Sequence, residues 1–299
     1  MHEGNISLKM GIMTRDENGW CTTQLRKAIK KQNMTPICFN HQPIIGRVNY
    51  TPEAAVKKID LLKELDALIT RPIGEGTIEE IFFRMNLLRK LERTGLLIVN
   101  PPLAIEQAVD KYCSLTLFQE NGLPVPRTAV TESPDEALRC FHELGDDIIL
   151  KPLFGSRGIG ATRITDPDIA ARIFRTITLH HGVLYLQEYI NHGGTDIRAF
   201  VIGNQVAAAM HRTSTNWKTN ISRGAKPAPI KLSTELENLA VKAAKIIGCK
   251  VTGADIIEGP NGPLLIELNS QPGWKGLQSV TKKCIADEII TYIISELKS

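Results

Sequence analysis

The chain has 299 residues, of which 42% are hydrophobic and 23% charged, with a net charge of +4. That is an ordinary globular composition with room for two or three small domains, and the charge is too mild to point to nucleic acid by itself. No apolar run reaches the roughly 20 residues that a membrane span needs, and the N-terminus lacks a signal-peptide pattern, so a soluble cytoplasmic protein with no membrane partner is expected.

"SLKMGIMTR" reads as a first strand, and "CTTQLRKAIKKQ" as an amphipathic helix with Thr22 or Thr23 as its N-cap. "TPICFN" is a second strand, "PEAAVKKIDLLKEL" a helix and "DALITR" a third strand. "IEEIFFRMNLLRKLERTG" is a helix stopped by Gly95, and "LLIVNPP" a fourth strand. The alternation predicts an open α/β sheet over residues 1–100. "PLAIEQAVDKYCSLTLFQENG" reads as one helix ending at Gly122, and "LPVPRT" as an extended linker. From Asp147 the strands come in pairs: "DIILKPL" with "GATRIT", "VLYLQEYI" with "DIRAFVIG", then "QVAAAMHRT", then "ADIIEG" with "PLLIELN". Short turns imply antiparallel hairpins. Helices are expected at "DIAARIFRTITLH", "STELENLAVKAAKIIG" and residues 284–297. The fold class is therefore an α/β N-terminal domain followed by α+β, with further divisions at 101–190 and 191–299. Six scattered cysteines without a C-x-x-C pair read as reduced thiols.

Three features carry chemistry. The first is "ILKPLFGSRGIG", in which Gly155, Gly158 and Gly160 follow Lys151 between two strands. Such a loop can act as a flap whose N–H groups converge on an anion, or it can be a plain glycine-rich hairpin. The second is "GADIIEGPNGPLLIELNSQPGW". A turn centred near Asn261 puts Asp255 opposite Glu267, and strand pitch puts Asn269 on the face of Glu267. Two carboxylates this close repel unless a cation lies between them, and hard oxygen donors suit Mg²⁺ bound with phosphates. The alternative is a solvated face. The third is the stretch 197–234, which contains no Asp or Glu but holds Arg198, Arg212, Lys218, Arg223, Lys226 and Lys231. It reads as a cationic lid over anionic ligands, or as a basic surface loop. Trp217 among these bases also leaves nucleic acid open. Together the three features describe a Mg-ATP enzyme.

The motifs "MTRD", "DKYCSL", "LPVPRT", "ILKPLFGSRGIG", "LQEYI", "DIRAFVIG", "NWKTNISRG", "GADII" and "IELNSQPGW", in that order, give the chain a resemblance to the ATP-grasp ligases, specifically the RimK-type α-L-glutamate ligases. The resemblance implies ATP gripped between two antiparallel-sheet lobes. It implies Lys111 and Lys151 on the phosphates, with Gly155, Ser156, Gly158 and Gly160 in the flap. Glu188 and Tyr189 would hold adenine and ribose with Asp196 nearby, and Lys218, Thr219 and Asn220 would form the lid. Asp255, Glu267 and Asn269 match Mg²⁺ (or Mn²⁺) ligands for two ions. Arg212 would act with Lys151 on the reacting groups, and Arg198 and Arg223 would hold substrate carboxylates.

Two departures from the family pattern are Ala225, where many relatives have glycine, and a slightly short lid. The implied partners are L-glutamate and a carboxylate acceptor. "NSQPGWKGLQSVT" resembles the tetrahydromethanopterin branch, with Trp274 as an acceptor wall or a core residue. The other acceptors of the family are a ribosomal protein C-terminus, an amino-group carrier protein and a deazaflavin coenzyme. A homo-oligomer, dimer or tetramer, is expected. Readings outside this class are a nucleic-acid-binding protein with a vestigial nucleotide site, which the intact Lys151, Asp255, Glu267 and Asn269 set opposes, and a kinase that stops after phosphorylation.

Overall fold

The computed structural model describes residues 8–155 and 158–298. The N-terminal part runs β1 (Lys9–Met13), α1 (Trp20–Lys31), β2 (Thr35–Phe39), β3 (Ile44–Gly46), β4 (Ala54–Val56), β5 (Ile59–Asp60), α2 (Leu61–Glu64), β6 (Ala67–Thr70), α3 (Ile78–Arg93) and β7 (Leu97–Val99). Strands β2, β1, β6 and β7 form a parallel sheet in that order, as the alternation predicts. Two details differ from the sequence-based expectation. Helix α1 begins at Trp20 behind Gly19, and Thr22 is inside it, its hydroxyl donating to Asp16 O at 2.9 Å. The stretch "PEAAVKKIDLLKEL" is not one helix. Ala54–Val56 is buried and pairs with Ile44–Gly46, Lys57 turns the chain at φ +55, and Asp60 caps the single turn Leu61–Glu64. Burial of "AAV" in a small antiparallel sheet outweighs helix propensity there.

The chain continues with α4 (Pro102–Val109) and α5 (Lys111–Glu120), then β8 (Thr128–Thr131), α6 (Pro134–Glu143), β9 (Ile148–Lys151), β10 (Thr162–Ile164), α7 (Pro167–Leu179) and β11 (Leu184–Glu188). The long helix expected after Pro102 is two, because Asp110 leaves helical geometry (ψ 106) and caps α5 through Tyr112 N and Cys113 N. Strands β10, β9, β11 and β8 form an antiparallel sheet. So "VLYLQEYI" pairs with β9 and β8 rather than with "DIRAFVIG"; its apolar side chains Leu184 and Leu186 belong to the core of α6 and α7.

The remainder is β12 (Thr195–Ile202), β13 (Gln205–Thr213), a 3₁₀ turn (Ile221–Arg223), β14 (Lys226–Pro229), α8 (Thr234–Ile247), β15 (Val251–Gly259), β16 (Gly262–Asn269), α9 (Lys275–Gln278) and α10 (Ile285–Lys298). A five-stranded antiparallel sheet has the order β14-β13-β12-β15-β16. One core joins the N-terminal sheet to this sheet, with Met10, Ile12, Phe200, Trp274 and Ile289 packed together. That packing fixes the two ends of the chain against each other. The C-terminal sheet carries α5 and α8 on another core, which includes Phe118, Ala240 and Leu265.

The β15–β16 hairpin pairs Asp255 with Glu267, as expected, but not for the expected reason. The turn is tighter than the sequence arithmetic assumed, with Gly259 opposite Gly262, and a bulge between Asp255 and Ile256 restores the register.

Candidate active site

A cleft of about 920 Å³, open to solvent, lies between the β9–β11 sheet and the β12–β16 sheet. Its floor is set by strand register. Asp196 on β12 opposes Arg212 on β13, Arg198 on β12 opposes Asp255 on β15, and Asp255 opposes Glu267 on β16. Alternating charge therefore crosses the sheet. Arg212 donates through Nε to Asp196 Oδ1 at 2.7 Å, and its Nη2 lies 3.0 Å from Asp255 Oδ2. Arg198 holds both oxygens of Asp255, with Nη2 to Oδ2 at 2.6 Å. Thr219 Oγ1 donates to Asp196 Oδ2 at 2.6 Å, which ties the lid to the floor.

Asp196, Arg212 and Asp255 are all buried. Burial alone raises the Asp255 carboxyl, but Arg198 and Arg212 more than offset it and hold it at about 2. Burial likewise disfavours the Arg212 cation, and Asp255 and Asp196 reverse that and push it up. Asn269 Nδ2 donates to Glu267 Oε1 at 3.1 Å, which leaves its amide oxygen for another partner. No cluster of three His, Cys, Asp or Glu occurs among the described residues, and Asn269, the third donor expected, is not among the residues that line the cleft. Two carboxylates and one amide oxygen fit a hard cation that shares its remaining positions with phosphates.

The opposite wall carries the lysines. Lys151 Nζ donates to Gln187 Oε1 at 2.6 Å, and Gln187 Nε2 is held by Thr128 at 3.0 Å and Tyr185 at 3.3 Å. Burial lowers Lys151 to about 8, with Glu267 pulling the other way. Lys111 donates to the carbonyls of Leu153 and Gly155 at 3.1 and 2.9 Å, so it also fixes the base of the flap. Burial lowers its ammonium as well. Flap and lid touch: Lys218 Nζ donates to Ala161 O at 2.6 Å, and Arg223 Nη2 to Gly158 O at 3.0 Å. Gly158 and Gly160 have φ of +65° and +79°, a backbone that favours glycine.

Of the residues singled out in the sequence, Lys111, Lys151, Gly155, Gly158, Glu188, Tyr189, Asp196, Arg212, Lys218, Thr219, Asn220, Asp255 and Glu267 line this one cleft. Ser156 lies outside the described residues. Arg198, expected on a substrate carboxylate, has its fork on Asp255. Trp274 is not at the cleft. It is 1% exposed, packed edge-on against Trp20 and Phe200, because this ring completes the core between the N-terminal sheet and β12.

The sequence reading missed Gln187, which orients Lys151, and Arg127, whose Nε donates to Glu188 Oε2 at 2.7 Å. It missed Arg163, stacked 3.6 Å above the Tyr189 ring. It also missed an apolar wall of Ile149, Ile190, Ile257 and Ile266, suited to a flat ring. Ile257 was within reach of period-two reasoning from Asp255. Ile266 was not, because only the bulge lets it and Glu267 both line the cleft.

Two antiparallel sheets closing on a cleft, with a glycine flap and lysines on one side and a carboxylate hairpin on the other, define the ATP-grasp architecture. Residues 8–105 match the RimK PreATP-grasp domain and residues 108–293 the RimK-like ATP-grasp domain. The chain belongs to the RimK-like ATP-grasp family. It is 33% identical over 296 residues to the tetrahydromethanopterin:alpha-L-glutamate ligase of Methanococcus maripaludis, covering 97% of this chain and 99% of that protein. It is 32% identical over 299 residues to the protein of the same name in Methanocaldococcus jannaschii, covering 98% and 100%. Among solved structures, the ATP-grasp ligase PsnB complexed with minimal precursor, Mg and ADP superimposes with a TM-score of 0.74 at 21% identity, covering 97% of this chain and 98% of that one.

Proposed function

We propose that the protein joins L-glutamate to a carboxylate acceptor of tetrahydromethanopterin type, consuming ATP and releasing ADP and phosphate. The observation that carries this reading is the convergence of Lys151, Arg212, Asp255 and Glu267 on one cleft. The acceptor type rests on the full-length likeness to the two methanogen ligases.

In this reading the apolar wall and the Glu188–Tyr189 segment hold the base and sugar, and Lys111, Lys151 and the flap hold the phosphates. Asp255, Glu267 and Asn269 would hold Mg²⁺, or Mn²⁺, as one or two ions. When bound, the metal neutralises charge on the phosphates. The acceptor carboxylate attacks the γ-phosphate, giving an acyl phosphate and ADP. The glutamate amine then attacks the acyl carbon, an amide forms, and phosphate leaves with the acyl C–O bond broken. Carboxylates are poor electrophiles, so phosphorylation supplies the leaving group. No nucleophilic side chain is required; the work is positioning and charge compensation. Arg212, locked by Asp196 and Asp255, presents a fixed cation beside the transferring phosphoryl group. Arg198 and Arg223 remain the candidates for substrate carboxylates, Arg198 by exchanging Asp255 for the substrate.

The division at residues 100 and 190 and a cytoplasmic location belong to the same reading, the latter in keeping with six free cysteines. A dimer or tetramer is favoured by Ile78, Phe82 and Phe83, which stand exposed on α3. No described helix is long and apolar enough to cross a membrane.

The test is ADP release with Mg-ATP and L-glutamate, with and without a tetrahydromethanopterin-type acceptor, followed by mass spectrometry of the acceptor. ADP that requires both substrates, with one glutamyl unit gained, is the expected result. ADP formed without glutamate would point to a kinase instead.

A further inference from the structure

Strand β11 alternates. Leu184 and Leu186 turn to the core of α6 and α7, while Tyr185 and Gln187 share the other face. Register sets Lys151 of β9 opposite Tyr185, and Thr128 of β8 opposite Gln187. Lys151, Tyr185, Gln187 and Thr128 therefore share one face across three strands. Lys151 and Gln187 both line the cleft; Thr128 and Tyr185 stand behind them.

A chain of hydrogen bonds crosses that face. Lys151 Nζ donates to Gln187 Oε1 at 2.6 Å, and Gln187 Nε2 lies 3.0 Å from Thr128 Oγ1 and 3.3 Å from the Tyr185 hydroxyl. An ammonium has hydrogens to give and no lone pair to accept with, so the amide oxygen has to face it. The two amide hydrogens then go to the two hydroxyls, and the amide is left with one orientation. Gln187 and Tyr185 are both buried. Burial pushes the Tyr185 hydroxyl well above its ordinary value, so it stays protonated.

The residue type at 187 bears on what the lysine can do. Among the described residues Gln187 is the hydrogen-bond partner of Lys151, and no carboxylate forms an ion pair with it. A carboxylate at 187 would bind the ammonium as an ion and compete with an incoming phosphate. The neutral amide takes one of its three hydrogens and leaves two for phosphate oxygens.

We propose that Gln187, itself fixed by Thr128 and Tyr185, is a positioning residue that holds the Lys151 ammonium toward the nucleotide phosphates, and that this position requires an amide rather than a carboxylate. This rests on the nucleotide reading of the cleft given above and not on the identity of the acceptor.

Gln187→Leu and Gln187→Glu, checked for folding by thermal melting, test it by calorimetric titration with Mg-ADP and with adenosine, which has no phosphate. Both variants are expected to weaken Mg-ADP binding at least about tenfold, the scale of one charge-assisted contact, with adenosine within about twofold of the wild type. Gln187→Glu is the sharper of the two, since it keeps the size of the side chain and an acceptor for Lys151 while adding a charge. Either variant, folded and binding Mg-ADP within about twofold of the wild type, overturns the proposal, and so does an equal loss for adenosine. A double-mutant cycle shows whether Gln187 acts through the lysine: in a Lys151→Met background, Gln187→Leu should cost less than about twofold. An undiminished loss in that background makes Gln187 a residue of the fold alone and overturns the proposal. If Mg-ADP does not bind the wild type, the nucleotide reading fails and the proposal with it. If it binds but the pterin acceptor gains no glutamate, only the acceptor reading fails, and the titrations still decide the role of Gln187.

Discussion

Arg198 and Asp255 face each other across β12 and β15, and the guanidinium of one takes both oxygens of the other, with Nη2 to Oδ2 at 2.6 Å. Asp255 is also within 3.0 Å of Arg212, so a single buried carboxylate holds two arginines in place. The proposed metal site and the arginine-holding role are separable by way of Glu267. Glu267 has Asn269 rather than an arginine as its hydrogen-bond partner. Glu267→Gln is therefore expected to shift the Mg²⁺ titration of ADP release upward by at least about tenfold at little cost in melting temperature. Asp255→Asn should shift it too and also destabilise the fold, since it leaves Arg198 without its carboxylate and takes one of two from Arg212. An unchanged Mg²⁺ titration in Glu267→Gln would remove that residue from the metal site.

Arg212 bridges Asp196 and Asp255, and its loss has two consequences that different measurements separate. Removing one preorganised cation from the reacting groups should lower kcat by about 10²–10³. Leaving the buried Asp196 carboxylate without its cation should cost about 3–5 kcal/mol of stability. Arg212→Ala, assayed well below its melting temperature, is expected to show both. A kcat loss under tenfold would take Arg212 out of the catalytic set and leave it a structural residue.

Burial holds Lys151 at about 8 against 10.5 for a free lysine. In that window the unfolded chain binds more protons than the folded one, so this group makes stability rise as pH rises from about 8 to 10.5. Phosphates beside the ammonium favour its charged form and raise its pKa again. Nucleotide binding at a pH of ~8.5 should therefore take up a fraction of a proton. Calorimetry in two buffers of different ionisation enthalpy reads that uptake, and Lys151→Met should reduce it. Equal uptake in the variant would mean that Lys151 does not contact the phosphates.

The sheet alternation and the flap strands were legible because each depends on local periodicity, whereas the Asp255–Glu267 pairing comes from a bulge that offsets a tighter turn. What was not legible depends on tertiary contacts. "PEAAVKK" carries helix-forming residues, yet Ala54, Ala55 and Val56 are claimed by the core as a strand. The partner of "VLYLQEYI" could not be read, because no element is expected between "LPVPRT" and "DIILKPL", where β8 and α6 lie. The acid-free stretch pointed to Arg212 but not to what holds it, since Asp196 lies one residue before the stretch begins. Trp274, a few residues after Asn269, read as either an acceptor wall or a core residue, and the packing of Trp20 and Phe200 around it decides for the core.

Gly158 gives the sharpest test of the flap. Its φ is +65°, and a Cβ there would lie 2.4 Å from Asn220 Oδ1 on the lid. Alanine at this position meets both a left-handed backbone penalty of about 1–2 kcal/mol and a collision with the opposite loop. The strain falls on the closed arrangement, in which Arg223 donates to Gly158 O at 3.0 Å and Lys218 to Ala161 O at 2.6 Å. The affected contacts join flap and lid rather than core elements, so the melting temperature should change little while nucleotide capture weakens. Gly158→Ala is expected to raise the KM for ATP about five- to thirtyfold, the equivalent of that penalty. Steady-state kinetics at fixed glutamate and acceptor measures it. An ATP KM within twofold of the wild type would mean that contact between flap and lid plays no part in holding the nucleotide.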